Sequence, residues 1–420
     1  MPFQYFADLQ FISTFVAKFA IKLQICQQEY MGEHIARAIK DTIIDACRYF
    51  SVIVITGPRQ SGKTTLCKAI FPDFDYVNLE DLSLREQISI DPKHFLETHS
   101  ANLIIDEAHH FPELFSYIQV NVDEHPERRY VITGSSNFNL LEKITQSLAG
   151  RAALFTLLPL SMAEIADRAA RLPTDTLMLN GGYPAIWGKG QPRQMVYSNY
   201  YATYVERDVR QIVNVANLRA FQNFMRLTAG RVGTEFNASA LSNAVGVSVK
   251  TVQSWLSVLQ ASYIVHLLPP FYENIGKRLV KSPKIYFHDT GLLCFLLNIE
   301  TEQQLEVHPL RGAIFENMVI NEVLKDFVNR GKTPQLFFYR DRSQYEVDLM
   351  LQTPLGYEAY EIKSSTTFSK SFLDGLVYLK SLMKDRLAGG AVVYAGSDEI
   401  PTKENGIVNY RHLNDLVKKC

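Results

Sequence analysis

The sequence predicts an α/β protein whose first part is a parallel sheet, and three stretches carry that reading. In the first, four apolar residues from Val52 to Ile55 form a buried strand ahead of Gly57-x-x-x-x-Gly62-Lys63-Thr64, which opens a helix. The second is Asn102-Leu103-Ile104-Ile105-Asp106-Glu107, an apolar strand ending in two acids. The third is Tyr130-Val131-Ile132-Thr133, a further strand followed by the polar tip Gly134-Ser135-Ser136-Asn137. Strands separated by helical stretches form βαβ units, and those units pair in parallel.

The glycine spacing has a chemical reason. A glycine-rich turn lets successive backbone N–H groups curl around phosphate oxygens, and the following helix N-terminus adds partial positive charge. Gly57, Pro58, Arg59, Gln60, Ser61, Gly62, Lys63, Thr64 and Thr65 are therefore expected to hold ATP. Lys63 reaches the β- and γ-phosphates, and the Thr64 hydroxyl ligates Mg²⁺. About forty residues on, Asp106 lies where it can join the Mg²⁺ shell and Glu107 where it can polarise the attacking water. Ser135, Ser136 or Asn137 could sense the γ-phosphate, with a ligand-free turn as the alternative. Arg151, in Leu148-Ala149-Gly150-Arg151, is read either as an arginine finger, in cis or from a neighbouring subunit, or as a structural ion pair. The Asp-Glu-Ala-His run at 106–109 invites a helicase reading, but no second ATPase-like sheet follows it. His109 and His110 lack metal-ligand spacing.

A chain of 420 residues calls for two or three domains, and 47% hydrophobic with 21% charged residues is a globular composition. The net charge of −1 advertises no global affinity for nucleic acid. Five scattered cysteines without a CxxC pair argue against a disulfide framework or zinc site and fit a reducing cytoplasm. No apolar run is long enough to span a membrane. Phe11, Phe15, Phe19 and Leu23 recur every four residues in an amphipathic N-terminal stretch, read as a partner helix or as sequence upstream of a start at Met31.

Beyond Leu179-Asn180-Gly181-Gly182-Tyr183-Pro184 the pattern changes. Asn237 to Pro269 reads as helix–turn–helix with Gly246 in the turn, Ser248 capping the second helix and Tyr263–Leu267 as a wing strand. The second helix carries one basic residue, Lys250, so packing on protein is preferred there to docking in a DNA groove. A third block begins near Lys284. A helix from Gly312 to Phe327 has Glu316 near its head. Glu346–Leu351 alternates, with Asp348 on one face, and Glu358–Lys363 alternates with Glu361 and Lys363 on one face. These residues can converge, and clustered carboxylates with a nearby lysine can hold Mg²⁺ and activate water. A solvated charged strand face is the alternative.

The stretches ITGPRQSGKTTL, LIIDEAHHF, VITGSSNF, SLAGR, LNGGYP, YVERDV, DTGLL and EVDLML with YEIKSS resemble a prokaryotic family of AAA-type P-loop ATPases. Its members carry a winged helix and a C-terminal domain of unknown function that looks like the PD-(D/E)XK nuclease fold. The resemblance covers nearly everything after Met31. It implies ATP on Gly57–Thr64, Walker B acids at Asp106 and Glu107, and Arg151 as the AGR arginine. It also implies a nuclease-like core of Glu316, Asp348, Glu361 and Lys363. The one departure is His109, where a glutamine is expected. The expected units are an N-terminal extension (1–30), the ATPase (31–185), a helical and winged-helix region (186–275) and a small α/β nuclease-like domain (276–420). The expected activity is Mg²⁺-dependent ATP hydrolysis coupled to that last domain, with DNA or a protein as partner and a homo-oligomer in view. The alternative is an ATP-gated regulatory switch whose C-terminal domain only binds a partner.

Overall fold

Alternation within short apolar strands sends neighbouring side chains to opposite faces, so a sheet of such strands must be covered on both sides. The computed structural model, which describes residues 35–99, 102–134, 144, 146–204, 218–272, 282–341, 343, 345–400 and 406–413, has this arrangement in its first part. The N-terminal stretch and Ser135, Ser136 and Asn137 lie outside the described residues. Strands β1 (Val52–Thr56), β2 (Asp75–Asn78), β3 (Asn102–Asp106), β4 (Arg129–Thr133) and β5 (Ala152–Thr156) pair in parallel in the order β2-β3-β4-β1-β5. Ile53, Ile55, Ile104 and Val131 pack with α1 (Lys40–Ala46) and α2 (Lys63–Ile70). Val52, Val54, Leu103, Ile105 and Ile132 pack with α3 (Leu114–Glu124) on the other face. Because β1, β4 and β3 are neighbours, Thr56, Thr133 and Asp106 end side by side on one edge.

The middle of the chain is helical. Helices α4 (Thr174–Asn180), α5 (Arg193–Thr203), α6 (Leu218–Ala229), α7 (Ala238–Val245) and α8 (Val249–Ala261) are followed by β6 (Val265–Leu268) and β7 (Lys284–Phe287), which pair antiparallel. Gly246 takes a left-handed φ of 78° between α7 and α8, and Ser248 accepts the Thr251 N–H at 3.0 Å to cap α8. Helix α9 (Thr290–Leu296) is capped by Asp289, whose other oxygen accepts the Gly182 N–H at 2.7 Å. A Cβ on Gly181 would lie 2.5 Å from Asp289 Oδ1, so only glycine lets this loop close on α9. Strand β7 therefore belongs with β6, and a boundary at 276 would cut this hairpin.

The C-terminal part is α10 (Arg311–Asn329), strands β8 (Leu336–Arg340), β9 (Glu346–Thr353) and β10 (Gly356–Lys363), α11 (Asp374–Met383), β11 (Leu387–Tyr394) and β12 (Gly406–Asn409). The sheet runs β12-β11-β10-β9-β8. Strands β8, β9 and β10 form an antiparallel meander, and β10, β11 and β12 are parallel. One apolar cluster joins α10 and a face of this sheet to the helices of the middle region, and α11 covers the opposite face. The clean alternation expected through β9 is broken. Val347 and Met350 pack toward α11 while Leu349 and Leu351 pack toward α10, because the β8–β9 register shifts between Phe337 and Tyr339, opposite Asp348. Such an irregularity re-aims a side chain without altering the rest of the ladder.

Candidate functional site

The loop after β1 is shaped by close approach. Gly57 has φ 144°, and a Cβ there would run into the Leu157 carbonyl oxygen. Gly62, at φ 93°, caps α2. Lys63 is buried, and its ammonium donates to the Gly57 and Pro58 carbonyls at 3.1 and 2.9 Å. Burial lowers the Lys63 pKa, opposed by the charges of Glu107 and Asp106. Thr64 Oγ1 donates to Asp106 Oδ2 at 2.7 Å, and Tyr76 donates to the same oxygen at 2.8 Å. Thr133 Oγ1 donates to Asp106 Oδ1. Glu107 follows in a left-handed conformation, φ 51°, with His109 Nδ1 3.2 Å from its Oε2. Among the described residues Ser61 Oγ is buried without a hydrogen-bond partner, as a loop built to wrap another group would leave it. Gly57 to Thr65 thus form the turn from β1 into α2, with Asp106 and Glu107 at the end of β3, which β4 separates from β1.

Arg37 was not singled out by sequence, yet it braces this loop from below. Its guanidinium donates to Ser61 O at 2.8 Å, Leu158 O at 2.7 Å and Glu164 Oε1 at 2.9 Å. Both side chains of the Arg37–Glu164 pair are buried. The remaining bonds to Glu164 come from the Ala38 and Ser161 N–H groups and the Ser161 hydroxyl. A second missed residue is Tyr263, held at φ 54° just before β6. Its hydroxyl lies 3.0 Å from Thr56 Oγ1, one residue ahead of Gly57, and 3.4 Å from Thr156 Oγ1.

Arg151 is not at this site. It precedes β5, its carbonyl accepts the Val52 N–H at the opening of β1, and the parallel pairing puts it at the edge opposite Gly57. There it makes two bonds to Asp123, at 2.6 and 2.7 Å. A finger in cis is thereby corrected to the structural ion pair, since five strand residues, at roughly 3.3 Å each, separate it from the loop.

The four expected C-terminal residues fall in two linked groups. Asp348 and Glu361 share Lys363, whose ammonium is 3.4 Å from Asp348 Oδ2 and 2.9 Å from Glu361 Oε2, and the Ile362 N–H donates to Asp348 Oδ2 at 2.7 Å. Glu316 instead pairs with Lys284 at 3.2 Å and accepts the Tyr286 hydroxyl at 2.5 Å, and Lys284 also lies 2.5 Å from Glu346. Burial first, then the charge of Asp348, raises the Glu316 pKa, and the same two causes raise that of Glu361. Burial alone would lower the pKa of Lys284, but the surrounding carboxylates outweigh it and raise it. Lys284 and Lys363 stand among Glu316, Glu346, Asp348 and Glu361, Arg340 lies 3.7 Å from Glu346, and the raised pKa values of Glu316 and Glu361 favour their protonated forms. Carboxylate oxygens are the hard donors that a divalent cation takes. Among the described residues no three His, Cys, Asp or Glu side chains already converge as a metal cluster, because the two ammonium groups stand between the carboxylates. Lys284, Tyr286 and Glu346 were missed because the signal in sequence is slight: one lysine opening the apolar strand Lys284-Ile285-Tyr286-Phe287.

Comparison with known proteins places these features in a lineage. A profile for an AAA domain matches residues 49–166, one for a domain of unknown function (DUF8612) matches 173–303, and one for another (DUF4143) matches 311–413. The uncharacterized proteins Rv2008c of Mycobacterium tuberculosis and Mb2031c of Mycobacterium bovis are each 31% identical over 363 residues, spanning 84% of this chain and 78% of theirs. The chain belongs to this AAA-domain family. The uncharacterized protein MJ1544 of Methanocaldococcus jannaschii is 24% identical over 332 residues, 71% of each chain. Among solved structures, the Walker-type ATPase PABY2304 of Pyrococcus abyssi is 14% identical, covers 61% of this chain and 94% of that one, and has a TM-score of 0.43. Residues 49–166 form an AAA domain of the P-loop class, and among the described residues no helix is long and apolar enough to cross a membrane.

Proposed function

We propose that this protein hydrolyses ATP with Mg²⁺ and passes its nucleotide state to a nuclease-like C-terminal domain, with DNA as the candidate substrate. The observation that carries the ATPase reading is the 2.7 Å pairing of Thr64 Oγ1 with Asp106 beneath the glycine turn. Those two residues would hold Mg²⁺, which neutralises charge on the β- and γ-phosphate oxygens. Lys63 exchanges its two carbonyl partners for phosphate oxygens. Glu107 takes a proton from water as the oxygen attacks the γ-phosphorus, the bond to the β-γ bridging oxygen breaks, and ADP and phosphate leave. Support for coupling comes from Tyr263, which ties the end of α8 and the start of β6 to the residue before Gly57.

The C-terminal order of one helix, a three-stranded meander, a helix and a parallel strand fits the nuclease-like reading, as do Asp348, Glu361 and Lys363 on adjoining strands. A bound divalent cation there would activate water and steady a leaving oxygen. A regulatory switch is the second reading. It is favoured by the exposed face of α8, whose Val249, Lys250, Gln253, Ser254 and Ser257 carry a single cation, so a winged helix formed by α6–α8 and β6–β7 suits protein better than DNA.

The test is cleavage of single- and double-stranded DNA with Mg²⁺ or Mn²⁺, with and without ATP, in the parent, Lys63→Ala and Asp348→Ala. Cutting lost in Asp348→Ala and altered in Lys63→Ala is the expected outcome. No cutting under any condition, with ATP hydrolysis intact, would leave the regulatory switch.

A further inference from the structure

Asp106 is held from both sides by the strands beside it. Strand β3 lies between β2 and β4, and each of those strands sends one hydroxyl to the carboxylate. Tyr76 of β2 donates to Oδ2 at 2.8 Å, and Thr133 of β4 donates to Oδ1. Thr64 of α2 shares Oδ2 with Tyr76. Asp106 is buried, and a buried carboxylate takes its orientation from the donors around it.

Tyr76 is not the residue level with Asp106. Asn78 is, and its side-chain oxygen accepts the Glu80 N–H at 2.9 Å in the turn after β2. Tyr76 pairs with Ile104, two residues earlier, so its side chain runs roughly 7 Å along the sheet to reach the carboxylate. It does so on the face that α2 covers, packed against the cluster that holds Ile55 and Ile104. Lys68 of α2 covers the ring, its ammonium 3.5 Å from the ring centre. Lys68 follows Thr64 by four residues, so one face of α2 carries both the hydroxyl at Asp106 and the cation on the ring. The ring quadrupole holds that cation, and the cation, by drawing electron density from the ring, makes the phenol a stronger donor.

The two donors to Oδ2 differ in what else they do. Thr64 belongs to the loop that takes the nucleotide, and its oxygen has a second task there as a Mg²⁺ ligand. Tyr76 stands on the sheet and holds Asp106 independently of the loop.

We propose that Tyr76, steadied by Lys68, is a positioning residue of the ATPase site, holding Asp106 by Oδ2 so that the carboxylate is already oriented when Mg²⁺ and nucleotide arrive. This rests on the reading of Thr64 and Asp106 as the Mg²⁺ residues. A partner that orients a metal ligand commonly governs metal affinity by 10- to 100-fold. The opposite role is a stopper that occupies the oxygen until the metal displaces it. Removing a stopper strengthens the Mg²⁺-dependent gain in nucleotide affinity, whereas removing a positioning residue weakens it.

The experiment is calorimetric titration of the full chain with adenylyl imidodiphosphate, a non-hydrolysable ATP analogue, once with Mg²⁺ and once with EDTA. The ratio of the two affinities isolates the metal's share, and Asp106→Asn defines how much of it belongs to the site. The EDTA arm reports whether the loop still takes a nucleotide. The expected result is that Tyr76→Phe lowers the ratio about tenfold with its affinity in EDTA unchanged. Lys68→Met, which keeps the hydroxyl but frees the ring, lowers the ratio about threefold. A ratio in Tyr76→Phe equal to the parent's, or higher, overturns the proposal. If Tyr76→Phe does not fold, Lys68→Met decides: a lower ratio supports positioning and an unchanged one overturns it. Equal affinities with Mg²⁺ and with EDTA in the parent, or a ratio that Asp106→Asn leaves intact, overturn the Mg²⁺ reading itself, and are seen before any Tyr76 variant is compared.

Discussion

Replacing Arg37 by methionine tests the brace under the nucleotide loop. The substitution removes three charge-assisted bonds, to Ser61 O, Leu158 O and Glu164, and leaves Glu164 buried with no counter-ion. Breaking a buried pair from one side costs about 3–5 kcal/mol. Glu164 retains the donors from Ala38 and Ser161, so the lower end applies, about 3 kcal/mol. For a unit of 150–250 residues that lowers the melting temperature by roughly 6–12 °C. Scanning calorimetry should show the loss in the transition that ATP stabilises, and titration with an ATP analogue should show weaker binding, because the Ser61 carbonyl is no longer anchored. Glu164→Gln should cost less, since Arg37 keeps two carbonyl acceptors. The double variant should cost less than the sum of the singles, because neither then strands a buried charge. Additive effects, or a loss in Arg37→Met below about 1 kcal/mol, would refute the brace.

Three other outcomes follow from the geometry. Glu107→Gln should bind ATP as the parent does but hydrolyse it 10²- to 10⁴-fold more slowly, in single-turnover assays, because only the proton acceptor is lost. Arg151→Ala should hydrolyse ATP within about threefold of the parent rate, since its guanidinium pairs with Asp123 at the far edge of the sheet; a loss of a thousandfold would restore the finger. His266 is buried, among the described residues neither ring nitrogen has a hydrogen-bond partner, and burial holds its pKa down to about 4. The unfolded ring takes a proton near pH 6.5 and the folded one does not, so this contribution, about 3 kcal/mol, is fully present above pH 6.5 and fades as pH falls toward 4. His266→Phe should flatten the melting temperature between pH 6.5 and 5 relative to the parent, and an unchanged slope would contradict the assignment.

What the sequence determined by itself was local. The glycine spacing from Gly57 to Gly62 requires a turn that closes against another backbone, and the Leu157 carbonyl leaves no room for a side chain at Gly57. Asp106 falls beside Thr64 because an apolar strand with acids at its end is an interior strand of a parallel sheet, and β3 lies between β2 and β4. The Ser248 cap was legible for the same reason, since a cap is set by residues three apart. Only the tertiary structure decided the rest. Arg37 meets Glu164 across 127 residues, Tyr263 meets Thr56 across 207, and Lys284 meets Glu316 from another unit. No periodicity within one element records such pairs. Arg151 shows the converse: its sequence neighbourhood left a finger and a structural ion pair both open, and the parallel direction of β5 carries it to the edge opposite Gly57, where it pairs with Asp123. Asp348 shows both at once, because its place on a strand was readable while the register shift that aims it exists only once β8 and β9 have paired. Propensity and spacing act over a turn or a strand, whereas a buried charge takes whatever partner the packed fold brings to it.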